Sequence, residues 1–269
     1  MPNEATRGEG FILPAATLWK RELVRFARDR HRLLGAILQP FVFWLLLGIG
    51  MSASFAPAGT SGTMSYLEYI YPGALLMVLL FTAIFSTISV VEDRREGFMQ
   101  SVLVAPVSQS GVVIGKVMGG TTLAVLEGMV FLLFVYQLDI PVSPFALAAT
   151  VAFLFLVGLA LTGLGFAIAW QMASTAGFHA IMNLFLLPMW ALSGALFPLS
   201  GVPEWLGWLM RINPLTYGVA GVRHALYLEA PELAGGIPPF EACLLVTCLF
   251  VLLTLGISLG VIRRREGVR

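Results

Sequence analysis

Residues 92–108 read EDRREGFMQSVLVAPVS, and the architecture turns on how this stretch is understood. Glu92, Asp93, Arg94, Arg95 and Glu96 form an unbroken charged row in a chain of 269 residues that is 12% charged and 58% hydrophobic. Soluble domains are about 45–50% apolar and about 25% charged, so this composition, with a mean hydropathy of +0.88, belongs to a membrane protein. Long apolar runs flank the row on both sides. It is therefore a connection outside the bilayer between two spanning helices.

The hydrocarbon core of a bilayer is about 30 Å thick and takes about 20 mostly apolar residues per helix. Six segments meet that requirement: 33–51, 70–91, 117–138, 145–170, 180–199 and 242–262. Asp139, Pro141 and Pro144 make a tight turn between the third and fourth. Lys and Arg collect on the cytoplasmic side of membrane proteins. Seven precede the first span, three (Arg94, Arg95, Lys116) lie between the second and third, and four (Arg263, Arg264, Arg265, Arg269) follow the sixth. Arg211 and Arg223 remain for the other side. Fourteen of the sixteen fall together when both termini are cytoplasmic, and this places residues 92–108 in the cytoplasm.

Ahead of the first span, Leu18, Trp19, Leu23 and Phe26 share one helical face, with Arg21, Arg25, Arg28 and Arg32 in an adjoining stripe. Residues 14–32 thus read as a basic amphipathic helix lying on membrane lipid at the cytoplasmic leaflet, the alternative being a plain positively charged flank that needs no helix. The six basic residues from Lys20 to Arg32, before any long apolar run, argue against a cleavable signal peptide. Within 92–108, Phe98 and Val102 are four residues apart, as are Met99 and Leu103. A short helix there carries an apolar face, and Pro106 ends it. An apolar face on a cytoplasmic helix is suited to meeting another protein.

Several classes find no support. A net charge of +1 gives nucleic acid no electrostatic handle. No G-x-x-x-x-G-K-[ST] occurs; Gly111 and Gly115-Lys116 come nearest, with one residue too few between the glycines and no hydroxyl after the lysine. H-E-x-x-H and G-x-S-x-G are also missing, and His31, His179 and His224 are scattered. Cys243 and Cys248 point about 140° apart on a helix, which fits neither a local disulfide nor a metal pair. The chain therefore has no cofactor, metal or ATPase site of its own in this reading.

Three groups of residues carry a resemblance. Glu96-Gly97-Phe98, Leu103-Val104-Ala105-Pro106-Val107-Ser108 and Gly115-Lys116 resemble the first cytoplasmic loop of ABC-2 type transporter permeases, the membrane subunits of drug-resistance and nodulation-factor exporters. Leu192-Ser193-Gly194-Ala195-Leu196-Phe197-Pro198 with Ile212-Asn213-Pro214-Leu215-Thr216-Tyr217 is similar to the family's fifth span and outer segment, and Gln39-Pro40 fits its first span. The resemblance implies an all-α polytopic protein of the bacterial inner membrane. It would have six transmembrane helices, an N-terminal interfacial helix, a cytoplasmic coupling helix, and outer re-entrant helices between spans five and six.

It further implies that two copies pair and that a separate nucleotide-binding subunit, holding ATP and Mg, powers export of an amphipathic drug, lipid-linked or oligosaccharide-type substrate. Residues 92–108 would dock on that subunit. Glu92, Arg94, Arg95 and Glu96 would fix orientation by salt bridges, Phe98, Met99, Val102 and Leu103 would fill its cleft, and Pro106 would end the helix. In residues 201–240, Pro198 (just before them), Trp205, Asn213, Pro214 and Tyr217 would form the outer gate, with Asn213-Pro214 read as N-cap and first helical position. A passive channel or membrane assembly factor is the alternative, and it would need no coupling helix.

Inside the spans, Glu127 is conspicuous, because a carboxylate at bilayer depth is costly and marks either function or an interior partner. Lys116 shares its helical face but lies about 16 Å away along the axis, too far to pair. Phe41, Trp44, Phe81, Phe85, Asn183, Phe185 and Trp190 are candidates for lining a path; packing or lipid contact would account for the same residues. Asn183 and Pro188 suggest a bent fifth span, and Gly163 and Gly165 close helix packing.

Overall fold

The computed structural model describes residues 5–51, 64–234 and 236–264, and every regular element among them is helical. The α-helices are α1 (Ala5–Arg28), α2 (Arg30–Met51), α3 (Tyr66–Ser86), α4 (Ile88–Arg95), α5 (Phe98–Val104) and α6 (Gln109–Leu132). They continue with α7 (Pro144–Ala169), α8 (Thr175–Trp190), α9 (Glu204–Ile212), α10 (Pro214–Leu226) and α11 (Phe240–Arg264). In a bilayer no water satisfies backbone groups, so apolar runs of this length close their hydrogen bonds internally as helices.

Helix starts follow local chemistry. Ser108, Ser143 and Ser174 each accept the N–H three residues ahead, at 3.0, 3.1 and 3.1 Å, to open α6, α7 and α8. Ser65 and Glu68 form a reciprocal capping box at the start of α3. Asn213 caps α10, accepting from Leu215 N at 3.0 Å, with Pro214 in the first turn, as the sequence indicates.

Among the described residues, five helical stretches are long and apolar enough to cross a membrane: Tyr66–Arg95, Gln109–Gln137, Pro144–Ala169, Thr175–Ala195 and Phe240–Arg263. The expected first span, 33–51, falls within α2, whose described apolar part is the shorter Ile37–Met51. The second expected span extends to Arg95 through a joint at Thr87. There Ser86 and Thr87 hydroxyls donate back to Ala83 O and Ile84 O at 2.7 and 2.6 Å, a local competition that bends helices. The third begins earlier than expected, because Ser108 caps α6 well ahead of Val117.

Helix α3 is the buried axis, with Ile70 through Ile84 packed on all sides. Its tyrosines tie it to neighbours at the end away from the charged row. Tyr66, Tyr69 and Tyr71 hydroxyls donate to Leu196 O, Gly194 O and Phe131 O at 3.0, 3.2 and 3.0 Å. Gly163 and Gly165, read as close-packing positions, lie against Thr254 and Thr87. The bend expected at Asn183 and Pro188 comes later. Helix α8 continues through Pro188 to Trp190, then widens into a π-turn, Ala191–Ala195, with Gly194 at φ 80°.

The N-terminal helix departs most from expectation. It spans Ala5–Arg28 rather than 14–32, breaks at Asp29, and packs along the first half of α6. Phe11 faces Gly111, Ala15 faces Gly115, and Trp19 and Glu22 face Gly119, so the two helices run side by side in the same direction. A Cβ at Gly115 would lie 2.6 Å from Ala15 O, so only a glycine stripe permits this approach. Leu18 and Phe26 are buried in protein rather than laid on lipid.

Candidate functional site

At the charged end of the bundle, α1, α4, α5 and α6 meet around Asp93. This carboxylate is completely buried. Arg21 grips it with both terminal nitrogens, Nη1 to Oδ2 at 2.7 Å and Nη2 to Oδ1 at 2.6 Å, and Arg25 Nη1 reaches Oδ1 at 3.1 Å. Lys116 Nζ also donates to Asp93, to Glu22 Oε1 at 2.6 Å and to Ser89 Oγ at 3.2 Å. Arg25 Nη2 binds Glu92 Oε2 at 2.5 Å. Three cations and three anions therefore balance in one cluster, which is what allows Asp93, Glu22 and Lys116 to be buried as ions. Hydrogen bonding to Asp93 raises the Arg21 guanidinium pKa above its ordinary value, against the opposing effect of burial.

The short helix α5 is attached to this cluster. Gly97 turns the chain at φ 80°, the left-handed region that glycine enters without penalty. Phe98 then lies under Arg21, whose guanidinium carbon is 4.0 Å from the ring centroid. Met99 is buried, and Val102 and Leu103 are half-buried against the core. The helix stops at Val104 because Ala105, preceding Pro106, is extended. Val104 is 79% exposed, and Gln100, Ser101 and Pro106 are exposed beside it.

The residues assigned from sequence to a partner's cleft are thus divided. Met99 is spent inside the chain, because α5 lies flat on the bundle rather than standing off it. Glu92 is engaged by Arg25, and Arg94 donates to Trp170 O and to Met172 O, the latter at 3.3 Å. Arg95 and Glu96 are exposed. Arg21 and Arg25, assigned to a stripe facing the leaflet, turn instead to Asp93 and Glu92, since buried carboxylates outcompete hydrated headgroups. Sequence reasoning passed over Asp93 and Glu22 as partners. The available signals were Glu22 set among the basic residues of α1 and Lys116 placed among apolar residues, where it needs a counterion.

Among the candidate pathway residues, Trp44, Phe81, Glu127 and Trp190 are buried within this chain. The Trp44 and Trp190 indoles donate to Leu67 O and Gly73 O at 3.0 and 2.7 Å, so both are core residues with satisfied N–H groups. Glu127 pairs with Thr82. Phe41 is tilted against Phe134 with ring centroids 4.9 Å apart and Phe85 lies 5.4 Å from His179, both half-buried. Asn183 and Phe185 are exposed on α8.

Of the outer residues, Asn213 Nδ2 donates to Met189 O at 2.6 Å and Tyr217 to Arg211 O at 3.0 Å. Trp205 is 65% exposed, and Pro198 is half-buried beside Arg223, a buried cation that sequence reading used only as an outer-side charge.

A model of the ABC-2 type transporter family matches residues 15–227. A transport permease named ycf38 from Cyanophora paradoxa is 30% identical over 79% of this chain and 74% of its own length. Nodulation protein J of Sinorhizobium fredii (strain NBRC 101917 / NGR234) is 26% identical over 94% of this chain and 96% of its own. A doxorubicin resistance ABC transporter permease protein, DrrC, of Mycobacterium tuberculosis (strain CDC 1551 / Oshkosh) is 24% identical over 83% and 80% respectively.

Proposed function

Because the chain belongs to the ABC-2 type transporter family, and so is a membrane subunit of an ABC transporter rather than its catalytic part, we propose that it is an exporter permease driven through α5. Two copies pair in a bacterial inner membrane with both termini cytoplasmic, and each has six spans, α2 completing the set. A separate ATPase subunit binds ATP and Mg and presses on α5. The bundle then opens alternately inward and outward to an amphipathic drug, lipid-linked or oligosaccharide-type cargo. The doxorubicin named for one relative and the nodulation protein named for another support that range without choosing within it.

One observation carries the coupling role. Helix α5 is held at its base and bare at its tip. Gly97, Phe98 and Met99 are fastened beneath Arg21 to a cluster that joins α1, α4 and α6, while Val104 and Pro106 face outward. A push on the tip is therefore transmitted to three helices at once instead of being absorbed by a hinge. A bare apolar tip with exposed Arg95 and Glu96 nearby is also the composition of a docking contact, with an apolar anchor and an oriented charged rim.

The experiment is co-purification of the permease with its ATPase subunit, comparing the unaltered chain with Val104→Asp and Glu96→Lys. Neither change touches the bundle interior, so membrane amounts should be normal while retained ATPase falls about tenfold or more. Full retention by both variants would remove α5 as the contact and favour a channel or assembly factor.

A further inference from the structure

Glu127 is 5% exposed within the apolar stretch Gln109–Gln137, and the coupling role of α5 gives it no task. Its Oε2 meets the Thr82 hydroxyl of α3, while Oε1 has no hydrogen-bond partner among the described residues. The helices packed on α6 bring it no counter-charge. Helix α7 contains no acid, base or histidine. Helix α3 has only Glu68, in its first turn, and tyrosines that already donate to backbone carbonyls. The acidic and basic residues of α2 and α11 lie at the ends of those helices. On α1, Arg21, Glu22 and Arg25 are bound to Asp93, Lys116 and Glu92. Lys116 itself, about 16 Å away along α6, is held by Asp93 and Glu22. An ionised Glu127 would therefore be a buried anion with a single hydrogen bond and no cation. A group in that position takes up a proton instead.

The hydroxyl beside it says where that proton sits. Thr82 has one hydrogen and two oxygens in reach, Val78 O at 2.9 Å and Glu127 Oε2. Val78 O is a backbone carbonyl and can only accept, so it takes the Thr82 hydrogen. The contact between Thr82 and Glu127 then needs a hydrogen from Glu127. On Oε2 that hydrogen has the Thr82 oxygen as its acceptor, and Oε1 is left as an unpaired neutral carbonyl. On Oε1 it would be a buried donor with nothing to bond, which is the costlier arrangement. We infer that Glu127 is a proton-binding site: a neutral carboxylic acid whose Oε2–H donates to Thr82 Oγ1, with Thr82 donating on to Val78 O. The chain of two bonds fastens α6 to α3 through a proton rather than through an ion pair. It is independent of what the permease carries and of what drives it.

The test is infrared absorption of the full-length chain purified in detergent at neutral pH. A protonated carboxyl absorbs above the amide I band, and an ionised carboxylate below it. The spectrum of the unaltered protein minus that of Glu127→Gln should therefore show a carbonyl band above amide I, with the intensity of one acid per chain. Thr82→Val, which leaves Glu127 in place but removes the acceptor of its O–H, should move that band, and Thr82→Ser should leave it where it was. The Thr82 variants also keep the site testable should Glu127→Gln fail to fold. Loss of carboxylate absorption below amide I in Glu127→Gln, with none above it, would overturn the neutral acid. A carbonyl band indifferent to Thr82→Val would overturn the bond to Thr82.

Discussion

Replacing Asp93 by asparagine removes the one carboxylate on which Arg21, Arg25 and Lys116 converge, while leaving its shape. The Arg21 and Arg25 side chains are 31% and 32% exposed, so they regain water, and their share resembles that of surface pairs, under about 1 kcal/mol. Lys116 has no such escape, because its side chain is 2% exposed and keeps one carboxylate, Glu22 at 2.6 Å, beside the Ser89 hydroxyl at 3.2 Å. Removing one partner from a buried ion pair costs about 3–5 kcal/mol, and the surviving Glu22 contact puts this case near about 3 kcal/mol. At roughly 2–3 °C per kcal/mol for a chain of this size, Asp93→Asn should melt about 6–9 °C lower. The assay is thermal unfolding of the detergent-purified permease, followed by tryptophan fluorescence and by loss of the monodisperse peak on gel filtration. Lys116→Met should be similarly harmful, yet the double variant should lose at least about 1.5 kcal/mol less than the sum, since it leaves Arg21 and Arg25 facing Glu22 and Glu92. Melting of Asp93→Asn within 2 °C of the unaltered protein (about 1 kcal/mol), or strict additivity in the double variant, would refute a cooperative cluster.

Three other substitutions examine separate parts of the structure. Gly115→Val should drive α1 off α6, because the added Cβ meets Ala15 O at 2.6 Å and backbone cannot yield; faster proteolysis at the N-terminal helix would reveal it. Asn213→Ala removes both a cap on Leu215 N and a bond to Met189 O, so a loss of about 2–3 kcal/mol in denaturant unfolding is expected. Glu127→Gln keeps the shape and a hydrogen-bond partner for Thr82, so melting should stay within about 2 °C and transport should persist; lost transport at unchanged stability would give Glu127 a part in the pathway after all.

Much of this protein was legible in its sequence because membrane insertion is a local matter. Length and apolarity decide which runs become helices, since a bilayer offers the backbone no other partner. Ser65, Ser108, Ser143, Ser174 and Asn213 stop or start those helices by bonds that reach only two or three residues. The family resemblance was likewise carried by contiguous stretches, Glu96–Phe98, Leu103–Ser108 and Ile212–Tyr217, and a family match over residues 15–227 agrees with it. Periodicity around Phe98 was enough to indicate the short helix α5, and Pro106 enough to end it.

What the sequence could not decide was where each charge goes. Composition and the bias of Lys and Arg treat Arg21, Glu92, Asp93 and Lys116 as independent solvated groups, each reporting a side of the membrane. Their pairing depends on three segments separated by dozens of residues arriving at one point, with the glycine stripe of α6 letting α1 come close enough for Arg21 to span to Asp93. The same holds for Trp44 and Trp190, whose aromatic character says nothing about whether lipid, cargo or a carbonyl of α3 lies opposite. Electrostatic pairing and burial are properties of the assembled bundle, because a charge inside it is tolerated only when distant parts of the chain supply its partners.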